Sequence, residues 1–110
     1  MEQGLFDRAV ALFNRGSFFD AHETWEDVWR ESSPPNKKFL QGLIQVAVAF
    51  HHHSKGNIAG ARSLLARACK NLDRCPDGFG GIQVSALLES LAHWQSALAE
   101  GKTVPPLPRL

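Results

Sequence analysis

Apolar residues recur every three or four positions through most of this chain, the signature of helices that each bury one face. Leu5, Phe6, Ala9, Leu12 and Phe13 form the first such face, and Asn14-Arg15-Gly16-Ser17 ends it, with Gly16 placed for a left-handed cap. A second helix is predicted from about Phe18 to Glu31. Ser32-Ser33-Pro34-Pro35-Asn36 then turns the chain, because proline disfavours helix in the residue before it. The third helix, about Asn36 to Ser54, is apolar on nearly every side, which marks it as central and buried. Lys55-Gly56-Asn57 stops it. Ile58, Ala61, Leu64, Leu65, Ala68 and Leu72 share one face of a fourth helix, and Pro76 to Ile82 is a glycine-rich loop. The fifth helix turns Val84, Leu87, Leu88, Leu91, Trp94 and Leu98 inward and closes at Gly101. No segment alternates with period two, so the fold class is all-α.

A short internal repeat supports a hairpin architecture. Arg15-Gly16-Ser17-Phe18-Phe19-Asp20-Ala21 aligns with Lys55-Gly56-Asn57-Ile58-Ala59-Gly60-Ala61 at an offset of 40. Glycine permits the tight corner, and alanine lets the two helices approach. Tetratricopeptide repeats use a similar corner, and chance similarity between helical hairpins accounts for the match equally well. The expected organisation is a five-helix bundle over residues 1–101 with a Pro-rich tail over 102–110.

Composition narrows the function classes. At 110 residues, with 44% hydrophobic and 21% charged residues, the chain is a single globular domain. A formal charge of +1, with Lys37-Lys38 the only adjacent basic pair, argues against nucleic acid. Phe39 to Ser54 is too short and too interrupted for a bilayer span, and Met1 is not followed by a secretory leader pattern. No membrane and a cytoplasmic location are the expectations. Cys69 and Cys75 have neither redox nor zinc-knuckle spacing. No nucleophile elbow or phosphate loop is present, and no cofactor is implied.

The candidate chemistry is a polar stripe within the two most apolar helices. Phe18, Ala21, His22, Trp25, Val28 and Trp29 share a face of the second helix, with Glu26 at its edge and Glu23 further round. On the third, Gln41, Gln45 and His52 lie within about 40° of one another, opposite Phe39, Leu43, Val46 and Phe50. Buried polar groups need partners, so these residues are expected to face one another. The resulting cluster is His22, Glu23, Glu26, Trp29, Gln41, Gln45 and His52. It can be a structural network that fixes helix register, a pocket for a small polar or anionic ligand, or a hydrolytic metal site using His22, Glu26 and His52. Glutamines are poor ligands for Zn²⁺ or Fe²⁺, and consecutive His51, His52 and His53 point about 100° apart on a helix, so no metal is assigned.

FFDAHETWEDVW, then FLQGLIQVAVAFHHHSKGNIAGA and GIQVSALL, resembles domain-of-unknown-function family 309, over about Leu5 to Leu98. The matching pattern positions are His22, Glu23, Trp29, Gln41, Gly42, Gln45, His52, Gly56 and Asn57. The resemblance implies a compact helical bundle and no activity. Gln83 departs from the family, which usually has Asp there as a cap for the last helix, so a frayed start is expected.

The leading expectation is a non-enzymatic binding or interaction module built around this cluster; the alternative is a metal-assisted hydrolase. Three Trp and seven Phe exceed what five short helices easily cover. A homodimer or another protein partner is therefore expected, unless the Pro-rich tail covers the open groove itself.

Overall fold

The two glycine corners close by the same hydrogen bonds. The computed structural model describes all 110 residues as five helices without strands. They are α1 (Gln3–Asn14), α2 (Phe18–Arg30), α3 (Asn36–Ser54), α4 (Ile58–Leu72) and α5 (Val84–Glu100), with a 3-10 turn at Phe79–Gly81. After α1, the Gly16 amide donates to the Phe13 carbonyl and the Ser17 amide to that of Leu12. After α3, Gly56 donates to His53 and Asn57 to His52 in the same pattern. Such a corner needs a left-handed residue, and Gly16 and Gly56 supply it at φ 86° and 78°. The internal repeat therefore corresponds to two like hairpins, α1–α2 and α3–α4.

The hairpins form two layers about α3. Phe18 of α2 meets Phe50, while Lys37 meets Trp29 at the other end, so α2 runs antiparallel to α3. Gln45 bonds Asn71 and His52 bonds Asn57, so α4 runs antiparallel along its other flank. The apolar face of α3 points behind this layer: Phe39 and Phe50 lie 6.0 and 6.1 Å from Phe6 and Phe13 of α1, and Phe50 lies 4.9 Å from Trp94 of α5. No helix is long and apolar enough to cross a membrane.

Seven of the ten aromatic residues join into one column, Phe79–Phe39–Phe6–Trp25–Phe13–Phe50–Trp94, with successive ring centroids 4.5–6.1 Å apart. Pairs of this kind add about 0.5–1.5 kcal/mol each beyond their buried area. This corrects the expected aromatic surplus: of the ten aromatic rings only Phe19 is substantially exposed. The Phe79 loop closes one end of the column, with Gly80 pressed so close that a Cβ would lie 2.8 Å from the Phe6 ring.

The last nine residues are fastened to the bundle rather than free. Asn14 brackets the terminal residue, accepting from the Leu110 amide at 2.8 Å and donating to its carbonyl at 3.0 Å. The Trp94 indole donates to the Pro106 carbonyl at 3.1 Å. The tail thus ties α5 back to α1.

The start of α5 differs from expectation in its cap. Gln83 makes no side-chain cap, but Asp77, in the preceding loop, accepts from the Ser85 amide at 2.8 Å and the Ser85 hydroxyl at 2.5 Å. The hydroxyl and then the amide of Ser85 hold the Asp77 carboxyl below its ordinary pKa. A remote aspartate has taken the capping role of the missing one.

Two outcomes follow from this packing. A Cβ on Gly42 would meet the buried Leu72 side chain at 2.7 Å, so Gly42→Ala should cost about 1–3 kcal/mol in urea unfolding. Asp77→Ala should lower the melting temperature at neutral pH. The cap's contribution is present above the unfolded carboxylate pKa and is lost as pH falls through the lowered folded value. Variant and wild type should therefore converge in acid; a gap unchanged there would show that Asp77 does not act as a carboxylate cap.

Candidate functional site

A stripe of partly exposed residues crosses the outside of the α2–α3–α4 layer. Gln41, Gln45, Val48 and His52 are spaced by one or two turns along α3, and all four are half-buried. They lie opposite the face that Phe39, Leu43, Val46 and Phe50 present to the core. α2 borders the stripe on one side and α4 on the other, so it is the one side of α3 that no helix covers.

α2 contributes a local chain of polar contacts. His22 Nδ1 lies 2.5 Å from the Phe19 carbonyl oxygen and Nε2 lies 3.3 Å from Glu26. Glu26 continues to Arg30 at 3.5 Å, and Arg30 also bonds Asp27. These are contacts at helical spacing, so they report the α2 periodicity and need no second helix. The His22 side chain is 15% exposed and the neighbouring Glu26 38%. The Lys37 ammonium lies 4.4 Å from the centroid of the half-buried Trp29 ring, fixing the α2–α3 edge by a cation–π contact.

α4 satisfies the α3 stripe from the other flank. Asn71 Nδ2 donates to Gln45 Oε1 at 2.7 Å, and Asn57 Nδ2 lies 3.3 Å from His52 Nδ1. Asn57 also caps α4 by accepting from the Gly60 amide at 3.0 Å. Gln41 is half-buried with no protein partner for its amide.

The structure therefore separates the residues expected to form one buried cluster. No polar or charged residue of the chain is fully buried. His22 and Glu26 bond within α2, Gln45 and His52 bond toward α4, and Glu23 is exposed in the α1–α2 cleft with Arg8, Arg15 and Asp20. What His22, Glu26, Trp29, Gln41, Gln45 and His52 share is one outer face. Nor do His22, Glu26 and His52 converge as a metal-assisted hydrolase requires: no three His, Cys, Asp or Glu side chains lie close enough to hold an ion.

Three neighbours escaped sequence reasoning. Asn71 carries the only amide side chain on α4, at the edge of its Ala68–Leu72 stripe, a signal that was available. Phe19 is half exposed and sits against His22 and His51 at 4.8 and 5.4 Å. His53 packs against Trp94, ring centroids 5.0 Å apart and planes nearly perpendicular. Cys69 and Cys75 are free thiols raised in pKa by burial, which fits packing rather than nucleophilic chemistry.

The partition of contacts predicts a definite pattern of energetic coupling. In a double-mutant cycle, Gln45→Ala and Asn71→Ala should couple by about 0.5–1.5 kcal/mol. Gln45→Ala and His22→Ala should add to within about 0.5 kcal/mol, since they share no partner. Strong coupling of the second pair would restore the single-cluster arrangement.

Comparison with known proteins places the chain among relatives of undescribed activity. An uncharacterized protein of Aquifex aeolicus (strain VF5) is 34% identical over 94 residues, covering 82% of this chain and 28% of that protein. The uncharacterized protein YpuF of Bacillus subtilis (strain 168) is 41% identical over 67 residues, covering 60% of this chain and 38% of that protein. The chain thus spans well under half the length of these relatives. The sequence pattern of the family described as Domain of unknown function (DUF309) matches residues 6–64, which takes in α1, α2, α3, the second glycine corner and the stripe. The chain belongs to the DUF309 family.

Proposed function

We propose that this chain is a non-enzymatic interaction module whose recognition surface is the outer face of the α2–α3–α4 layer. The observation that carries this reading is the stripe Gln41, Gln45, Val48 and His52, left half-exposed on a helix that buries nine other residues. A purely structural network explains Gln45 and His52 through Asn71 and Asn57, but leaves Gln41 without a role.

Shape favours a protein over a small ligand. Small-molecule sites are concave, and the main surface clefts, of about 300–480 Å³, are lined by none of His22, Gln41, Gln45 or His52. A shallow face with amides in the middle and Trp29 and Phe19 at one edge has the composition of a protein interface, in which aromatic anchors and a polar surround act together.

Site-specific photocrosslinking in cells tests the assignment. A photoreactive residue replacing Gln41 should give a discrete adduct that is lost on Trp29→Ala, whereas the same residue replacing Ser96, on α5 behind the layer, should not. Equal labelling from both positions, or none from Gln41, would refute the surface.

A further inference from the structure

Between Glu31 and Asp73 the chain has no carboxylate. That stretch takes in all of α3 and α4 and carries the cations Lys37, Lys38, Lys55, Arg62, Arg67 and Lys70. None of them enters an ion pair, since the four salt bridges lie on α2 and just after α5. Arg74 follows directly, the one non-glycine residue held in the left-handed region, at φ 67°.

Lys38, Arg67, Lys70 and Arg74 gather at one end of the seam between α3 and α4, and all four are exposed. Gly42 packs on Leu72 and Gln45 bonds Asn71, so the start of α3 lies beside the end of α4. Burial raises the Cys75 pKa and Lys38 opposes that rise, which places the Lys38 ammonium near the Cys75 thiol. Arg67 stands one turn before Asn71, Lys70 directly before it and Arg74 three residues on. Asp73, at the α4 C-cap, also stands at this end and pairs with none of these cations. Arg62, by contrast, lines the cleft between α4 and α5 with Gln95 and Ala99.

The seam also presents hydrogen-bond donors. Asn71 occupies the amide oxygen of Gln45, which leaves that residue its N–H pair to offer. Gln41, one turn away, has its whole amide free. The carboxylates of α2 do not neutralise this side. Glu26 is engaged by His22 and Arg30, while Asp20, Glu23 and Asp27 line the α1–α2 cleft with Arg8 and Arg15. Glu31 ends α2, with α3 between it and α4.

Resting on the reading of this face as an interaction surface, we infer that its partner is a carboxylate-rich polypeptide segment laid along the α3–α4 seam over Gln41 and Gln45. Its carboxylates meet the four cations and the free amide donors, the strongest match for an anionic acceptor. Its backbone follows the stripe, about 17 Å from Gln41 to His52 at the helical rise. Because the charges are exposed, the contact is salt-dependent. A nucleic acid fits less well, because these cations flank only the α4 border. Glu26 and Glu31 on the α2 border oppose a phosphate backbone that crosses the stripe.

Fluorescence anisotropy of a dye-labelled decaglutamate peptide with the full chain tests the assignment. Binding should saturate with a Kd below about 1 mM and weaken about fivefold or more from low to high salt. Arg67→Ala/Lys70→Ala should weaken it about fivefold or more. Arg8→Ala/Arg62→Ala removes the same charge away from the seam and should change binding by less than about twofold. All four residues are exposed, so both variants keep the fold, as circular dichroism should verify.

No saturable binding, binding indifferent to salt, or equal weakening by the two variants would overturn the inference. So would tighter binding of a single-stranded decanucleotide through Arg67 and Lys70, which assigns the cations to phosphate. If decaglutamate fails while Gln41 still gives a Trp29-dependent adduct, the interaction surface stands and the acidic partner falls. If decaglutamate binds through Arg67 and Lys70 while Gln41 gives no adduct, the acidic recognition holds and the wider face falls.

Discussion

Burial of α3 on every side but one sets the position of everything else in this molecule. Its Phe39–Phe50 face needs an aromatic layer behind it, which α1, α5 and the Phe79 loop supply. Its flanks need close partners, and Gly42 allows Leu72 to approach where a methyl group would not fit. α2 and α4 then occupy those flanks, and the side that remains is where α3 carries Gln41, Gln45 and His52. The polar stripe is therefore a consequence of how the central helix is enclosed, and the same enclosure presents it to solvent.

Charge is spread unevenly around that exposed side. Asp20, Glu23 and Asp27 of α2 line the α1–α2 cleft with Arg8 and Arg15, whereas α3 and α4 carry cations and no carboxylate. Most of these charges are solvent-exposed and unpaired, and they contribute little to stability. Their expected effect is on which surface approaches and in what orientation. The fold is held by apolar contacts elsewhere.

The C-terminal residues show how a feature that looks like a ligand can be internal structure. Pro105 to Pro108 reads as a polyproline segment, yet the Trp94 indole donates to the Pro106 carbonyl and Asn14 bonds Leu110 just beyond it. Those contacts close the gap between α1 and α5 and cover aromatic surface that would otherwise favour association from that side. The α2–α3–α4 face has no comparable cover.

Sequence alone determined the helices, their corners and the relative placement of residues within each helix, because these follow from local backbone geometry and the 3.6-residue period. Gly16 and Gly56 were legible as corners for that reason, and Gln41, Gln45 and His52 as one line. Which neighbour that line faces was not legible, because a helical wheel fixes angles within a helix and says nothing of the helices around it. His22 is paired with the stripe by the need of buried polar groups for partners, whereas the fold satisfies it through Phe19 and Glu26 and gives Gln45 to Asn71, 26 residues away. Asp77 replacing the cap absent at Gln83 has the same origin, a loop folding back over eight residues. Only the tertiary structure could decide these pairings, because each depends on where a second segment comes to rest and on which polar group it brings there.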